Sequence, residues 1–106
     1  MHIPPDAIIA KEKLTHYLLV FRNEDDISAF LAQAGFTSEN PEVLEEAIRQ
    51  HMALIEAVQD RVNEYGAYYR VEGDLIGSEN RILSVVTIWL QQNSEFRFIT
   101  LKPWRR

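Results

Sequence analysis

Residues 82–91 read ILSVVTIWLQ, a run dense in β-branched side chains and free of glycine and proline. The spacing predicts a strand, because β-branched and aromatic side chains suit a pleated, half-buried surface. Alternation sorts its faces. Ile82, Val86, Ile88 and Leu90 share one side, and Thr87 and Trp89 take the other. The aliphatic set is expected to lie beneath a helical layer, which leaves Trp89 on the far side.

Working outward, the polar stretches GSENR (77–81) and QNSE (92–95) are turn chemistry. They join this strand to AYYRVEGDLI (67–76) before it and FRFITLK (96–102) after it. A further short strand, AVQDRV (57–62), reaches the second through the turn NEYG. On the second strand Ala67, Tyr69, Val71 and Leu75 point one way; Tyr68, Arg70, Glu72 and Asp74 point the other. On the last, Ile99 and Leu101 oppose Phe96, Phe98, Thr100 and Lys102. The expected far face therefore carries Tyr68, Arg70, Trp89, Phe96, Phe98, Thr100 and Lys102. Arg97 falls on the helix side by parity, unless it lies at the strand end or a bulge re-aims it.

Before about residue 56 the hydrophobic period is that of helices. EKLTHYLLV (12–20) places Leu14, Tyr17 and Leu18 on one side. In NEDDISAFLAQAGF (23–36), Asn23 suits a cap, Asp25 and Asp26 suit the first turn, and Gly35 closes the element. In SENPEVLEEAIRQHMALIEAV (38–58), Asn40 suits the N-cap and Pro41 the first helical position. Leu44, Ile48, His51 and Ile55 then form an inward stripe. Helices followed by strands with short connections predict one α+β domain over residues 1–106. About three N-terminal helices pack on one face of a four-stranded antiparallel meander.

The 106 residues include no cysteine, which excludes disulfides, thiolate metal sites and cysteine nucleophiles. No apolar run approaches the roughly 20 residues that span a bilayer, and the N-terminus lacks the pattern of a signal peptide. The expected location is the cytoplasm, with no membrane partner. Net charge is −5. Residues 1–60 hold four Lys/Arg against eleven Asp/Glu, and residues 61–106 hold seven against five. His2, His16 and His51 show no metal-ligand spacing, and no phosphate-binding glycine loop is present. Neither metal nor cofactor is expected.

Five stretches in this order resemble an uncharacterised bacterial domain family, numbered 6883: AIIAKEKLTHYLL (7–19), AGFTSENPEVLEEAIRQH (34–51), EYGAYYRVEG (64–73), TIWL (87–90) and RFIT (97–100). The resemblance covers nearly the whole chain. Its layout is similar to the barnase, colicin-nuclease and RelE-like ribonuclease fold. That likeness implies a toxin-like, metal-independent ribonuclease or a decayed relative, with a small antitoxin-like protein as the partner such a toxin would have. The chain departs from the family pattern at FRNEDDIS (21–28), which has no lysine, and at Tyr68, where relatives tend to carry one.

Cutting RNA without a metal needs a base, fixed cations at the phosphate, and an acid. His51, Arg97 and Thr100 are the catalytic candidates. His51 titrates in a suitable range, but on an inward stripe it also reads as a hydrogen-bonded histidine at the core's edge. Arg97 also reads as the partner of an acidic residue, and Thr100 as an ordinary strand threonine. Tyr68, Arg70, Trp89, Phe98 and Lys102 are the binding candidates on the aromatic face. Aromatics beside cations stack on single-stranded RNA. The same ingredients make a homodimer or protein-partner interface. With three lysines in the chain, the electrostatic term for RNA is thin. The alternative to a ribonuclease is thus a non-catalytic protein-interaction module.

Overall fold

The chain, in a computed structural model, is described over residues 1–20 and 27–104. The expected cap Asn23 and the acidic pair Asp25 and Asp26 lie outside the described residues. Helix α1 (Lys11–Lys13) runs directly into a π-turn (Leu14–Leu18). Helices α2 (Ile27–Ala32) and α3 (Pro41–Leu54) follow. Strands β1 (Val58–Asn63), β2 (Gly66–Ile76), β3 (Ile82–Gln92) and β4 (Glu95–Pro103) come next, with a short 3₁₀ turn (Ser78–Asn80) between β2 and β3. The sheet is antiparallel in the order β1-β2-β3-β4. The fold class is α+β, as the switch of period predicts. Among the described residues no helix is long and apolar enough to cross a membrane.

Local chemistry explains the helix ends. The π-turn bonds Leu19 N–H to the Leu14 carbonyl at 3.0 Å, five residues back. That spacing brings Leu14, Leu18 and Leu19 into the core and leaves Tyr17, expected on the apolar side, exposed. Gly35 ends α2 with φ +89°, a conformation that favours glycine. Pro41 opens α3. Asn40 does not cap it with its side chain; its Oδ1 instead accepts from Thr37 Oγ1 at 2.9 Å, closing the preceding turn. The predicted stripe is real: Leu44, Ile48 and His51 are buried, and Ile55 packs against the core.

The strands form where expected, but the faces of β3 and β4 are the reverse of the sequence reading. Val71 pairs with Thr87, and Tyr69 with Trp89. Directly paired residues share a face. Val71 and Leu75 are buried, so Leu83, Val85, Thr87 and Trp89 point inward with them. Ile82, Val86, Ile88 and Leu90 are the outer set. On β4 the register shifts between the pairs Ile88–Thr100 and Trp89–Phe98, so Ile99 is an extra, bulged residue. The bulge lets Phe96, Phe98 and Leu101 all turn inward, leaving Arg97, Thr100 and Lys102 outward. Trp89, Phe96 and Phe98 are therefore core residues, 0%, 7% and 2% exposed, and not the far-face aromatics expected. Trp89 and Phe98 meet edge to face with ring centroids 5.4 Å apart.

Both sheet edges are managed. The N-terminal segment bonds to β4 through Ile8 N–H to the Phe96 carbonyl and Phe98 N–H to the Ile8 carbonyl, each 2.8 Å. On the other side β1 is exposed along its length but carries a bulge at Asp60 beside Arg61. A bulge and charges discourage further strand addition there. β1 pairs with β2 only as far as Arg70, so residues 71–76 of β2 have a strand neighbour on one side alone.

Candidate functional site

The candidate residues divide between the two sides of the sheet. His51 comes from the third turn of α3 and is 3% exposed. Its Nδ1 lies 3.0 Å from the Asp74 carbonyl. Its Nε2 lies 3.1 Å from Thr87 Oγ1 and 3.2 Å from the Val71 carbonyl. Trp89 Nε1–H donates to the same Thr87 oxygen at 2.9 Å. One tautomer satisfies this chain throughout: Trp89 donates to Thr87, Thr87 donates to Nε2, and Nδ1–H donates to Asp74. Among the described residues no buried side-chain polar atom lacks a partner. Burial holds the imidazole below its ordinary value, against the opposing pull of the Asp74 and Val71 carbonyls and the Asp74 charge. His51 is thus a neutral, fully engaged group that ties α3 to β2 and β3.

The outer face gathers a different set. Three cross-strand rows carry it: Arg61, Tyr68, Leu90 and Arg97; then Arg70, Ile88 and Thr100; then Glu72, Val86 and Lys102. A stripe of Val86, Ile88 and Leu90 runs down β3 between two columns of polar or amphipathic side chains. Val86 and Ile88 are half-exposed, and Leu90 is shielded. At one end the paired Ile76 and Ile82 are 47% and 57% exposed. The arginines are already engaged. Arg70 bridges Asp60 and Glu72, each at 3.1 Å. Arg97 pairs with Glu95 at 2.8 Å, and the Arg61 guanidinium sits 4.4 Å over the Tyr68 ring.

The structure therefore brings Arg97 and Thr100 together with Tyr68, Arg70 and Lys102 on the outer face. It places His51, Trp89 and Phe98 on the inner side. His51 bonds Thr87, whose side chain points away from Thr100 and Arg97, so the three catalytic candidates do not converge on one phosphate. Trp89 and Phe98 present no surface to a ligand. The outer stripe on β3 was missed by the sequence reading because its residues were assigned to the core; the Val71–Thr87 register is what exposes it.

A groove on the α3 side of β2 also has chemical character. It adjoins His51 and is lined by α3, the unpaired half of β2 and Trp104, with a volume near 580 Å³. Among the described residues no group of three or more His, Cys, Asp or Glu could hold a metal ion.

Neither the curated proteins nor the solved structures include a match to this chain. One family model does match, over residues 5–104, nearly the whole sequence and every element that builds these two faces. On that match the chain belongs to the family described as Domain of unknown function (DUF6883).

Proposed function

We propose that this domain is a non-catalytic protein-interaction module whose working surface is the outer face of the sheet. The observation that carries the reading is the Val86–Ile88–Leu90 stripe, bordered by polar columns whose arginines already have carboxylate or aromatic partners. An apolar centre with a polar rim is the anatomy of a protein interface. On this reading the helices form one layer over the face that holds Trp89, and the opposite face stays open for a partner, with a second copy of the chain as the simplest occupant.

Two features weigh against the ribonuclease reading. His51 is separated by the sheet from Arg97 and Thr100. The outer-face cations are largely neutralised by Asp60, Glu72 and Glu95, which removes most of the charge that would hold a phosphate. The test is sedimentation velocity across a concentration series, with the parent chain beside Ile88→Glu. Self-association of the parent, lost in the variant, supports the module with a second copy as occupant. RNA cleavage by the parent that disappears in a His51→Ala, Arg97→Ala variant would restore the enzyme reading and overturn this one.

A further inference from the structure

We propose that the groove between α3 and the unpaired half of β2 is a docking site for a basic, apolar segment of a partner protein. Two rows of residues border it. On α3, Glu42, Glu46, Gln50 and Leu54 recur every four residues and all are exposed. On β2, Glu72, Asp74 and Ile76 alternate along the strand; they belong to the outer face and border the groove at the free edge of the sheet. Both rows run from carboxylates to an apolar end. The floor is Ala47, Ile55 and Gly73, and a Cβ on Gly73 would fall 2.5 Å from Ile55 Cδ1, so the strand backbone itself forms part of it. Two adjoining depressions, near 580 and 340 Å³, share Ala47, Gln50 and Ile76 and so form one channel.

Charge complementarity names the occupant. Four carboxylates line the channel, and among the described residues neither depression is lined by a lysine or arginine. Glu72 is held by Arg70, but Glu42 and Asp74 have no ion pair among the described residues. Apolar side chains at Leu54, Ile76 and Trp104 supply the burial that carboxylates alone lack. The α3 ridge is ~18 Å long, the span of about six extended residues. A segment alternating arginine or lysine with aliphatic residues meets both requirements. A nucleic acid would meet only repulsion. This site meets the outer face at Glu72 and Ile76, but it does not depend on the outer-face reading.

The test is a titration of the full chain with a blocked nine-residue peptide alternating arginine and leucine, followed by NMR shifts and tryptophan fluorescence. A matched peptide with glutamate in place of arginine is the control. The expected result is saturable one-to-one binding of the arginine peptide, with shifts at Gln50, Leu54 and Asp74 and none for the control. A Glu46→Gln, Asp74→Asn variant should weaken it about tenfold, and a Glu12→Gln, Glu64→Gln variant, away from the groove, by less than about twofold. All four positions are exposed, so the variants keep the fold. Absence of saturable binding, equal binding of the glutamate peptide, or equal loss in the two variants overturns the proposal. None of these results bears on self-association, so this reading and the outer-face reading fail separately.

Discussion

The inner and outer sides of β3 alternate residue by residue, yet they are built on different terms. Inside, Thr87 and Trp89 are fully buried, and each polar atom among them is spent on a neighbour. Outside, Val86 and Ile88 are aliphatic but only half covered, and their neighbours are ion pairs in contact with water. Greasiness alone does not mark the inside. The inside goes to the side chains that remove the most surface and can also satisfy their polar atoms there. Trp89 does both, because Thr87, itself bonded to His51, accepts its N–H.

Truncating each side in turn is the strongest way to break that comparison. Trp89→Ala is expected to cost about 3–5 kcal/mol in denaturant unfolding, as other buried large-to-small changes do. Ile88→Ala, one position away, should cost about 1 kcal/mol or less, as a partly exposed site. Equal losses would mean that the outer face is packed as tightly as the inner one. Next in size is Thr87→Val, which keeps the shape and removes the hydroxyl shared by His51 and Trp89. Leaving Trp89 Nε1–H unpaired should cost about 1–3 kcal/mol. A neutral result would show that the His51 chain adds nothing to stability.

Acid sharpens the same point. The His51 imidazole is held below its ordinary value chiefly by burial. Below about pH 6.5 the unfolded chain takes up a proton there that the folded chain refuses, so the stability this group contributes is full above that pH and is lost as pH falls towards the folded value. The parent should therefore lose more stability between about pH 7.5 and 5.5 than His51→Gln, compared by chemical denaturation. Parallel profiles would mean that His51 takes up its proton as readily in the folded chain as in the unfolded one. The smallest effect is expected outside. Arg97→Gln removes a half-exposed pair and should change stability by about half a kcal/mol or less. A loss well above that would give Arg97 a role the structure does not show.

Part of the site was legible in the sequence and part was not. His51 read correctly as a residue of the inward α3 stripe, because Leu44, Ile48 and His51 keep helical spacing. Its partners were not legible: Thr87 and the carbonyls of Val71 and Asp74 lie 20 or more residues away, and no local pattern joins them. Arg70 and Lys102 read correctly as outward residues. Trp89 and Phe98 did not, and the outer aliphatic stripe was hidden by the same error.

What the sequence determined by itself is the order of elements: α1 to α3 first, then four strands, with Pro41 opening the long helix and Gly35 closing the one before. These are local matters, set within a turn or two of chain by propensity, capping and period. The tertiary structure decided which side of the sheet became the inside. β3 is apolar at both odd and even positions, so its alternation has a period but no sign. The sign comes from the β2–β3 register, which ties Thr87 to Val71, and from the bulge at Ile99, which lets Phe98 and Leu101 face the same way. Both depend on packing between residues distant in the chain, where burying Trp89 with its N–H satisfied outweighs leaving Ile88 half exposed.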